Sequence, residues 1–443
     1  MALGSQQGRV AAVSSLTGLL HEVYAGTVKP AIRANSPTQQ LFTEAGAGDY
    51  RIDGEKLVGS TDLNYSTGAM HTSGKLPDHR EVDAVEWTVT PTRAYRRGAI
   101  DNFTEARGGA GPGSFGDYSA RLFDQVYDSF KRLKIRSAIG GSSGILCLTG
   151  SRTSATVIVM KDGYNHTGTN PMMHIASAGA CLAWLDASNA YAVGGSGLVA
   201  SFVNSTKTVT FSASIENGSG TPTIVAGDPW VFATTTPYTV DYFDTEYNVS
   251  RHGLSSIIEP DDVNTTVLGI AEGTYPAWRP FKEASATFDH LELTEHWQKL
   301  AMQSTDPVSP ASHTVLTSGA VYAELARTLE GFQQQQQLGM TFEGGYQAVR
   351  IAGQDIVTDP YMLHDVLFTV CRDSLFHVDI GGAESEFTDD GSQFARIGDF
   401  DGKEWFISEY GNDFSDRRNR HGALTDIALP NVDEDEFTAV SGA

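Results

Sequence analysis

GDYSARLFDQVYDSFKRLKIRSAIGG, Gly116–Gly141, is the longest helical pattern in a chain that otherwise reads mostly as strands and turns. Leu122, Phe123, Val126, Tyr127, Phe130 and Leu133 recur at helical spacing and form one apolar stripe, with Arg121, Asp124, Gln125, Asp128 and Arg132 on other faces. Asp117 is the expected N-cap, and Lys131, Arg132, Lys134 and Arg136 crowd the last turns, where the helix dipole favours cations. Gly140 and Gly141 then stop the helix. At about 1.5 Å per residue the run from Asp117 to Ala138 would be roughly 33 Å long, the width of a small domain. Taken alone, such a rod fits the core of an enzyme domain.

Upstream, the pattern from Asp49 to Arg97 is extended. YRIDGEKLVGSTDLNY (Tyr50–Tyr65) leads through the polar HTSGKLPDHRE (His71–Glu81) into VDAVEWTVTPTRAYRRG (Val82–Gly98), in which Val85, Trp87 and Val89 alternate with polar residues. This predicts a long hairpin with a charged tip. Two strands of about 12 residues would reach about 40 Å, more than such a ribbon can cover with its own chain, so it is expected to need a partner surface. GGAGPGSFG (Gly108–Gly116) reads as a hinge before the helix: it lacks the Lys-Ser/Thr ending of a phosphate cradle.

Downstream, ILCLTG is expected to follow the helix as a strand, and between Ala155 and Phe243 come ATVIVM, LVASFV, TVTFSA, PTIVA, PWVFATT and YTVDYF. Their turn-punctuated spacing predicts a small antiparallel β-domain, inserted in the chain. TEHWQKLAMQS follows as a helix with Thr294 as N-cap, then HTVLTS as a strand and GAVYAELARTLEGF as a helix. The last third alternates strand and turn through YQAVRIAGQDIVTDPYM, VLFTVCRDSLFHVDI and KEWFISEYG, and Gln333–Gln337 is a short low-complexity run at a helix end or loop.

With 31 Lys and Arg against 54 Asp and Glu, the net charge of -23 is that of a soluble protein without a general affinity for nucleic acid. Cys147, Cys181 and Cys371 have neither disulfide-framework nor metal-pair spacing, and a reducing compartment is expected. The opening residues lack the apolar run of a signal peptide, and no window approaches a membrane span. Sequons such as those at Asn64, Asn204 and Asn217 are expected by chance in a chain rich in Asn, Ser and Thr.

Few motifs carry chemistry. GGSSG (Gly140–Gly144) matches a nucleophile elbow centred on Ser142, but the elbow needs a strand before the serine and a helix after it, and here the order is reversed. The 12 histidines make no zinc-type spacing, and TDDGSQ and DFDG lack the bidentate Glu of a calcium loop, so no metal and no cofactor is expected. The basic residues fall in three clusters, Arg93, Arg96 and Arg97; Lys131 to Arg136; and Arg417, Arg418 and Arg420, for which ion pairing with acidic chains is favoured over phosphate contact.

An arm, an extended hairpin, a glycine-rich loop, one long helix and a strand-and-helix domain form the order of tailed-bacteriophage major capsid proteins. The chain resembles that family over most of its length. The resemblance rests on WTVTPTRAYRRGAIDNFTEA, HTVLTSGAVYAELAR, VRIAGQDIVTDPYM and EYGNDFSDRRNRHGALTDIA, in that order, with RHGLSSIIEP…YPAWRP, ahead of HTVLTS in the chain, resembling the family's entry into the A-domain. It implies an α+β tailed-phage capsid fold: an N-terminal arm (1–48), an extended E-loop hairpin (49–98), a P-domain with a long spine helix (99–154), an inserted small antiparallel β-domain (155–245), an A-domain with P-domain return strands (246–430) and a tail (431–443). It further implies a non-enzymatic subunit that self-assembles into hexamers and pentamers of an icosahedral shell around double-stranded DNA, in the virion and, during assembly, in the host cytoplasm. Implied partners are copies of itself, a portal, possible decoration proteins and, since no long charged leader opens the chain, a separate scaffolding protein; no membrane and no sequence-specific DNA binding are implied. Candidate inter-subunit contacts are Lys75, Asp78, His79, Arg80, Arg93, Arg96, Arg97, Arg417, Arg418 and Arg420, and candidate lumen-facing cations are Lys131, Arg132, Lys134 and Arg136. The rival readings are a serine hydrolase using Ser142 and a secreted β-rich binding module.

Overall fold

The computed structural model describes residues 37–46, 50–53, 56–62, 84–101, 118–166, 169, 171, 180–215, 223–233, 245–258, 266–285, 288–304, 306–333, 341–343, 346–379, 395–396 and 402–429. The chain divides into two compact units: Met1–Gln40, Pro91–Ile135 and Val378–Asn412 in the first, and Leu41–Thr90, Arg136–His377 and Asp413–Ala443 in the second.

In the first unit the strand Thr92–Asp101 runs antiparallel to Gly402–Ser415, from Thr92↔Gly411 to Asp101↔Gly402, and the short strand Ala395–Arg396 pairs with the latter at Glu404 and Lys403. The helix spans Tyr118–Ile139 and the unit boundary falls inside it. Where side chains of the predicted stripe are described, Val126 and Phe130 are buried and Tyr127 and Leu133 half-buried, while Gln125, Asp128 and Arg132 are exposed; Ile135, outside the predicted stripe, is buried as well. The N-cap position Asp117 lies outside the described residues.

The second unit is organised by a seven-stranded mixed sheet. In spatial order its strands are Phe281–Ala284, Gly422–Thr425, Leu367–Cys371, His313–Thr317, Gln354–Thr358, Tyr346–Ile351 and Thr341–Glu343. His313–Thr317 and Leu367–Cys371 are buried throughout, because both sheet faces are covered. Successive residues point to opposite faces. Val315, Leu367 and Leu424 pack with Phe288, Leu293 and Trp297 and with Val321, Leu325 and Leu329, from the helices His290–Ser304 and Gly319–Gln333 and the residues leading into them. Leu316, Phe368 and Ala423 pack on the other side with Ala138 and Ile139 from the end of the long helix and with Leu254, Ile257 and Ile258 from the short helix Leu254–Ile258. The hairpin between Tyr346–Ile351 and Gln354–Thr358 turns on Ala352 and Gly353, both with positive φ (49° and 85°), a geometry in which glycine costs nothing.

Six strands form a closed antiparallel barrel in the order Thr208–Phe211, Val157–Lys161, Cys147–Arg152, Pro229–Phe232, Cys181–Asp186 and Ala192–Val203. Its interior is filled by side chains that include Trp184, Trp230, Phe211, Ile158 and Met160. The barrel starts earlier than expected. Cys147–Arg152 pairs with both Val157–Lys161 and Pro229–Phe232, so a unit beginning at residue 155 would lack the strand that closes it. Cys181–Asp186 was not anticipated as a strand, and PTIVA forms none: Ile224 is buried from a loop. YTVDYF lies outside the described residues.

Two further readings are corrected. The expected continuous ribbon arm breaks at Thr90 and Pro91. Ala84–Val89 pairs with Lys56–Asp62 in a three-stranded sheet completed by Arg51–Asp53, whereas Thr92–Asp101 leaves to join Gly402–Ser415. The hairpin base also has an intrachain core. Leu57, Val58, Trp87 and Val89 are all buried, and the Trp87 ring stacks on Phe414 at 4.2 Å. Gly59, opposite Trp87, makes room for that ring, since a Cβ there would lie 2.0 Å from it. The tip, residues 63–83, lies outside the described residues. Thr294 is not an N-cap either: the helix begins a turn earlier at His290, and Asp289 Oδ1 accepts from the backbone N–H groups of Leu291 and Glu292.

The end of the long helix is locked by Arg251–Ile258. A Cβ on Gly253 would lie 2.3 Å from the Ser137 carbonyl oxygen and 2.4 Å from that of Gly140, and the Ser255 hydroxyl donates to the Ile139 carbonyl at 2.6 Å. Both contacts are with backbone, which cannot swing aside. Gly253→Ala is expected to cost about 2 to 3 kcal/mol by overpacking, measured as a drop in urea midpoint at unchanged slope.

Candidate functional site

The three basic clusters meet different fates. Arg93 is exposed and its guanidinium lies 5.8 Å from the centre of the Tyr410 ring, itself edge-on to Tyr95 at 5.9 Å. Arg96 and Arg97 lie on the same strand with their backbones opposite Ile407 and Phe406. Lys75, Asp78, His79 and Arg80 lie outside the described residues.

In the helix-end cluster, Arg132 is exposed and Lys131 half-buried. The other two have acids within the chain. Lys134 pairs with Glu409, and Arg136 pairs with Glu246 at 2.5 Å while its guanidinium covers the Phe232 ring at 4.1 Å. Of the four candidate lumen-facing cations, Lys134 and Arg136 thus pair with acids of their own chain, the alternative to phosphate contact.

In the third cluster Arg417 is exposed, beside Asp416 at 3.9 Å, and Arg420 pairs with Asp306 at 2.7 Å. Arg418 has 0% exposure, which removes it from the candidate inter-subunit contacts. Its Nη1 donates to Glu272 at 2.6 Å, its Nε donates to the Ile257 carbonyl, and Trp278 lies 5.7 Å beneath. Arg279 holds the other Glu272 oxygen at 3.3 Å. The Arg418–Glu272 and Arg136–Glu246 pairs have no local sequence signal, since their members lie more than a hundred residues apart.

Ser142 sits in the turn that follows the helix and precedes the strand Cys147–Arg152, the reversed order noted in the sequence. Its hydroxyl accepts from Ser256 Oγ at 3.3 Å, and Ser256 in turn lies 2.9 Å from His252 Nδ1. These bonds tie the turn to Arg251–Ile258. Among the described residues no group of three or more His, Cys, Asp or Glu is arranged to hold a metal ion, and no helix is long and apolar enough to cross a membrane. Most of TDDGSQ and DFDG lies outside the described residues.

No family model matches the chain, and no curated protein matches it by sequence. Solved structures do. The capsid asymmetric unit of cyanophage A-1(L) is 10% identical, with a TM-score of 0.51, over 88% of this chain and 93% of that one. The chain has the tailed-phage capsid fold. More distant likenesses include the capsid of cyanophage Pam1 (9% identity, TM-score 0.42, 88% and 89% covered) and the procapsid of satellite phage P4 with its size-determination protein (9%, 0.38, 96% and 98%).

In this capsid fold the central sheet is wired by buried neutral histidines. His421 Nδ1 accepts from the Cys371 backbone N–H at 3.1 Å, while Nε2 meets the hydroxyls of Ser415 at 3.0 Å and Ser374 at 3.3 Å. Protonating Nδ1 would set two donors face to face. Burial, with His313, Arg418 and Arg420 nearby, holds the His421 pKa down to about 3. Burial and Lys299 lower that of His296 to about 3, and burial lowers that of His252 to about 4.

The unfolded chain takes up these protons below about pH 6.5, whereas the folded chain does not until roughly pH 3 to 4. Stability is therefore full above pH 6.5 and falls as the pH drops. At pH 4.5 the loss is expected to be on the order of 2 to 3 kcal/mol for each of His421 and His296, and less for His252, which retains some solvent contact. Thermal unfolding between pH 7.5 and 4.5 measures it, and His296→Leu should show a shallower decline than the parent.

Proposed function

We propose that the chain is a major capsid protein whose copies form the hexamers and pentamers of an icosahedral shell enclosing double-stranded DNA. The observation that carries this reading is the near end-to-end match in fold to a cyanophage capsid subunit, over 88% of one chain and 93% of the other. The segments that suggested the family occupy structural positions. RHGLSSII locks the long helix, HTVLTS is a central strand, and the Arg418 of EYGNDFSDRRNRHGALTDIA is buried under Trp278. A hydrolase using Ser142 is disfavoured, because that hydroxyl is engaged by Ser256 and has no histidine bonded to it among the described contacts. A copy would act in the virion shell, after assembly in the host cytoplasm.

Copies of this chain are the principal partners; a separate scaffolding protein, a portal and decoration proteins complete the set. The inserted barrel has its own core and is read as a module carried by the shell subunit. Since Leu57, Val58, Trp87 and Val89 anchor the hairpin base within the chain, the reach toward an adjacent subunit is assigned to the segment beyond Asp62. Expression of the full chain, with a scaffolding protein if needed, should give closed shells or ring-shaped capsomers by negative-stain microscopy. Deleting Ser66–Asp83 should leave the monomer's melting temperature within a few degrees and abolish the particles; particles at parental yield would refute the hairpin's role, and only monomers from the parent would refute the shell.

Contact with the genome is expected to be weak. The chain carries a net charge of -23, and of the four cations at the helix end Lys134 and Arg136 are paired to acids, whereas Lys131 and Arg132 have no ion pair among the described residues. A duplex attracted to every subunit would resist packing, whereas an anionic wall confines it by geometry. Gel shifts of the isolated subunit should show no binding tighter than about 10 µM at 150 mM salt, near the range of ordinary nonspecific binding. A steep salt slope removed by neutralising Lys131 and Arg132 would contradict the container.

A further inference from the structure

The barrel is closed by strand pairing all round, so a ligand cannot add to a sheet edge there and must be met by side chains on its loops. One loop presents an unusual pair. Tyr191, 41% exposed, lies at the end of the connection between Cys181–Asp186 and Ala192–Val203, with its ring 5.4 Å from that of Tyr247 and tilted by 33°.

The backbone is strained to place them. Ala190 and Tyr191 have φ of 52° and 59°, and Asn248, next to Tyr247, has φ of 56°. Three non-glycine residues in the left-handed region at one ring pair is a departure from the usual choice of glycine there. The loop is also pre-organised: Asp186 Oδ1 accepts from the backbone N–H and hydroxyl of Ser188, and the Tyr191 N–H donates to the Asp186 carbonyl at 3.0 Å. Tyr247 packs on the apolar outer face of the barrel formed by Ala183, Leu185 and Val231, which fixes its ring and leaves Tyr191 as the free wall.

We propose that Tyr191 and Tyr247 form a stacking site for a neutral saccharide. Among the described residues on the same two segments, the exposed ones include Ser188, Asn189 and Asn248, which are uncharged hydrogen-bonding groups, and the apolar Val249; beside aromatic faces these suit the hydroxyls and CH faces of a sugar ring. The chain's net charge of -23 repels polyanions and offers carboxylates elsewhere to basic peptides, whereas a neutral sugar is indifferent to both. This site does not depend on the capsid reading, and its failure would leave that reading intact.

The test uses the full chain, with maltotriose, cellotriose and chitotriose titrated to 20 mM and followed by saturation-transfer NMR and tyrosine fluorescence, alongside decaproline and heparin. At least one trisaccharide should bind in the millimolar range; Tyr191→Ala should weaken it at least tenfold, and Tyr191→Phe should retain the stack. Tyr191→Gly should raise the melting temperature by relieving the left-handed strain while losing the sugar, a pairing that a purely structural loop would not show. Absence of binding by all three sugars, equal binding by Tyr191→Ala, or preference for decaproline or heparin would overturn the proposal.

Discussion

The second unit depends on the way the last turn of the long helix meets Arg251–Ile258. A helix ends with carbonyls that lack intrahelical partners, and burying them unpaired costs on the order of 1 to 3 kcal/mol each. Here the Ile139 carbonyl takes the Ser255 hydroxyl, and Gly253, having no side chain, lets its backbone approach the Ser137 and Gly140 carbonyls. That closeness lets Leu254, Ile257 and Ile258 reach the same apolar cluster as Ala138 and Ile139, against Leu316 and Phe368 of the central sheet. Helix end, short helix and sheet face are thus fixed by one glycine and one hydroxyl.

The same segment joins a fully buried charge, Arg418, to the core. The Ile257 carbonyl accepts from Arg418, whose other bond goes to Glu272 under Trp278. Losing one member of such a pair leaves an uncompensated buried charge, at about 3 to 5 kcal/mol, although the intact pair is nearly neutral relative to apolar packing. Its effect is on specificity: only the arrangement that brings residues 257, 272 and 418 together satisfies the guanidinium. In a chain with 31 cations and 54 anions, committing Lys134, Arg136, Arg418 and Arg420 to intrachain acids also leaves the surface more uniformly anionic than the sequence clusters imply.

Periodicity made some of this legible and left the rest hidden. The stripe of Val126 and Phe130, the strand His313–Thr317 and the helix Gly319–Gln333 follow from local pattern because each buries residues at its own repeat. The break at Thr90 and Pro91 was present in the sequence as a proline, yet alternation on both sides read as one strand; that the two halves pair with different partners is a long-range fact. Cys181–Asp186 was missed because it is buried on both faces, Leu182 and Trp184 inward and Ala183 and Leu185 outward under Tyr247, so no alternation shows. The cap was misplaced at Thr294 because a capping residue is defined by where its side chain lands on the backbone, and it is Asp289 that accepts from the first N–H groups of the helix. Of the candidate contacts, Arg418 misled most: one residue in a run of surface-like arginines is the core cation, and nothing local distinguishes it from Arg417.

The treatment of strand edges bears on self-association. A free edge is a template for another strand, and a folded chain that leaves one open invites indiscriminate pairing. The barrel has no edge at all. The edge strand of the hairpin sheet, Arg51–Asp53, is only three residues long, exposes all of them, and flanks Ile52 with an arginine and an aspartate, Arg51 being paired to Glu86 at 2.8 Å. The edge strand Phe281–Ala284 of the central sheet carries Lys282 and Glu283, the latter paired to Lys299 at the end of a carboxylate–ammonium chain with Glu295. Short, charged edges make indiscriminate pairing costly. Selective contact with another chain would then fall to surfaces with shape and chemistry of their own, and the group formed by the exposed Arg93 and Tyr95 with the half-buried Tyr410 on the first unit offers aromatic faces and a cation together.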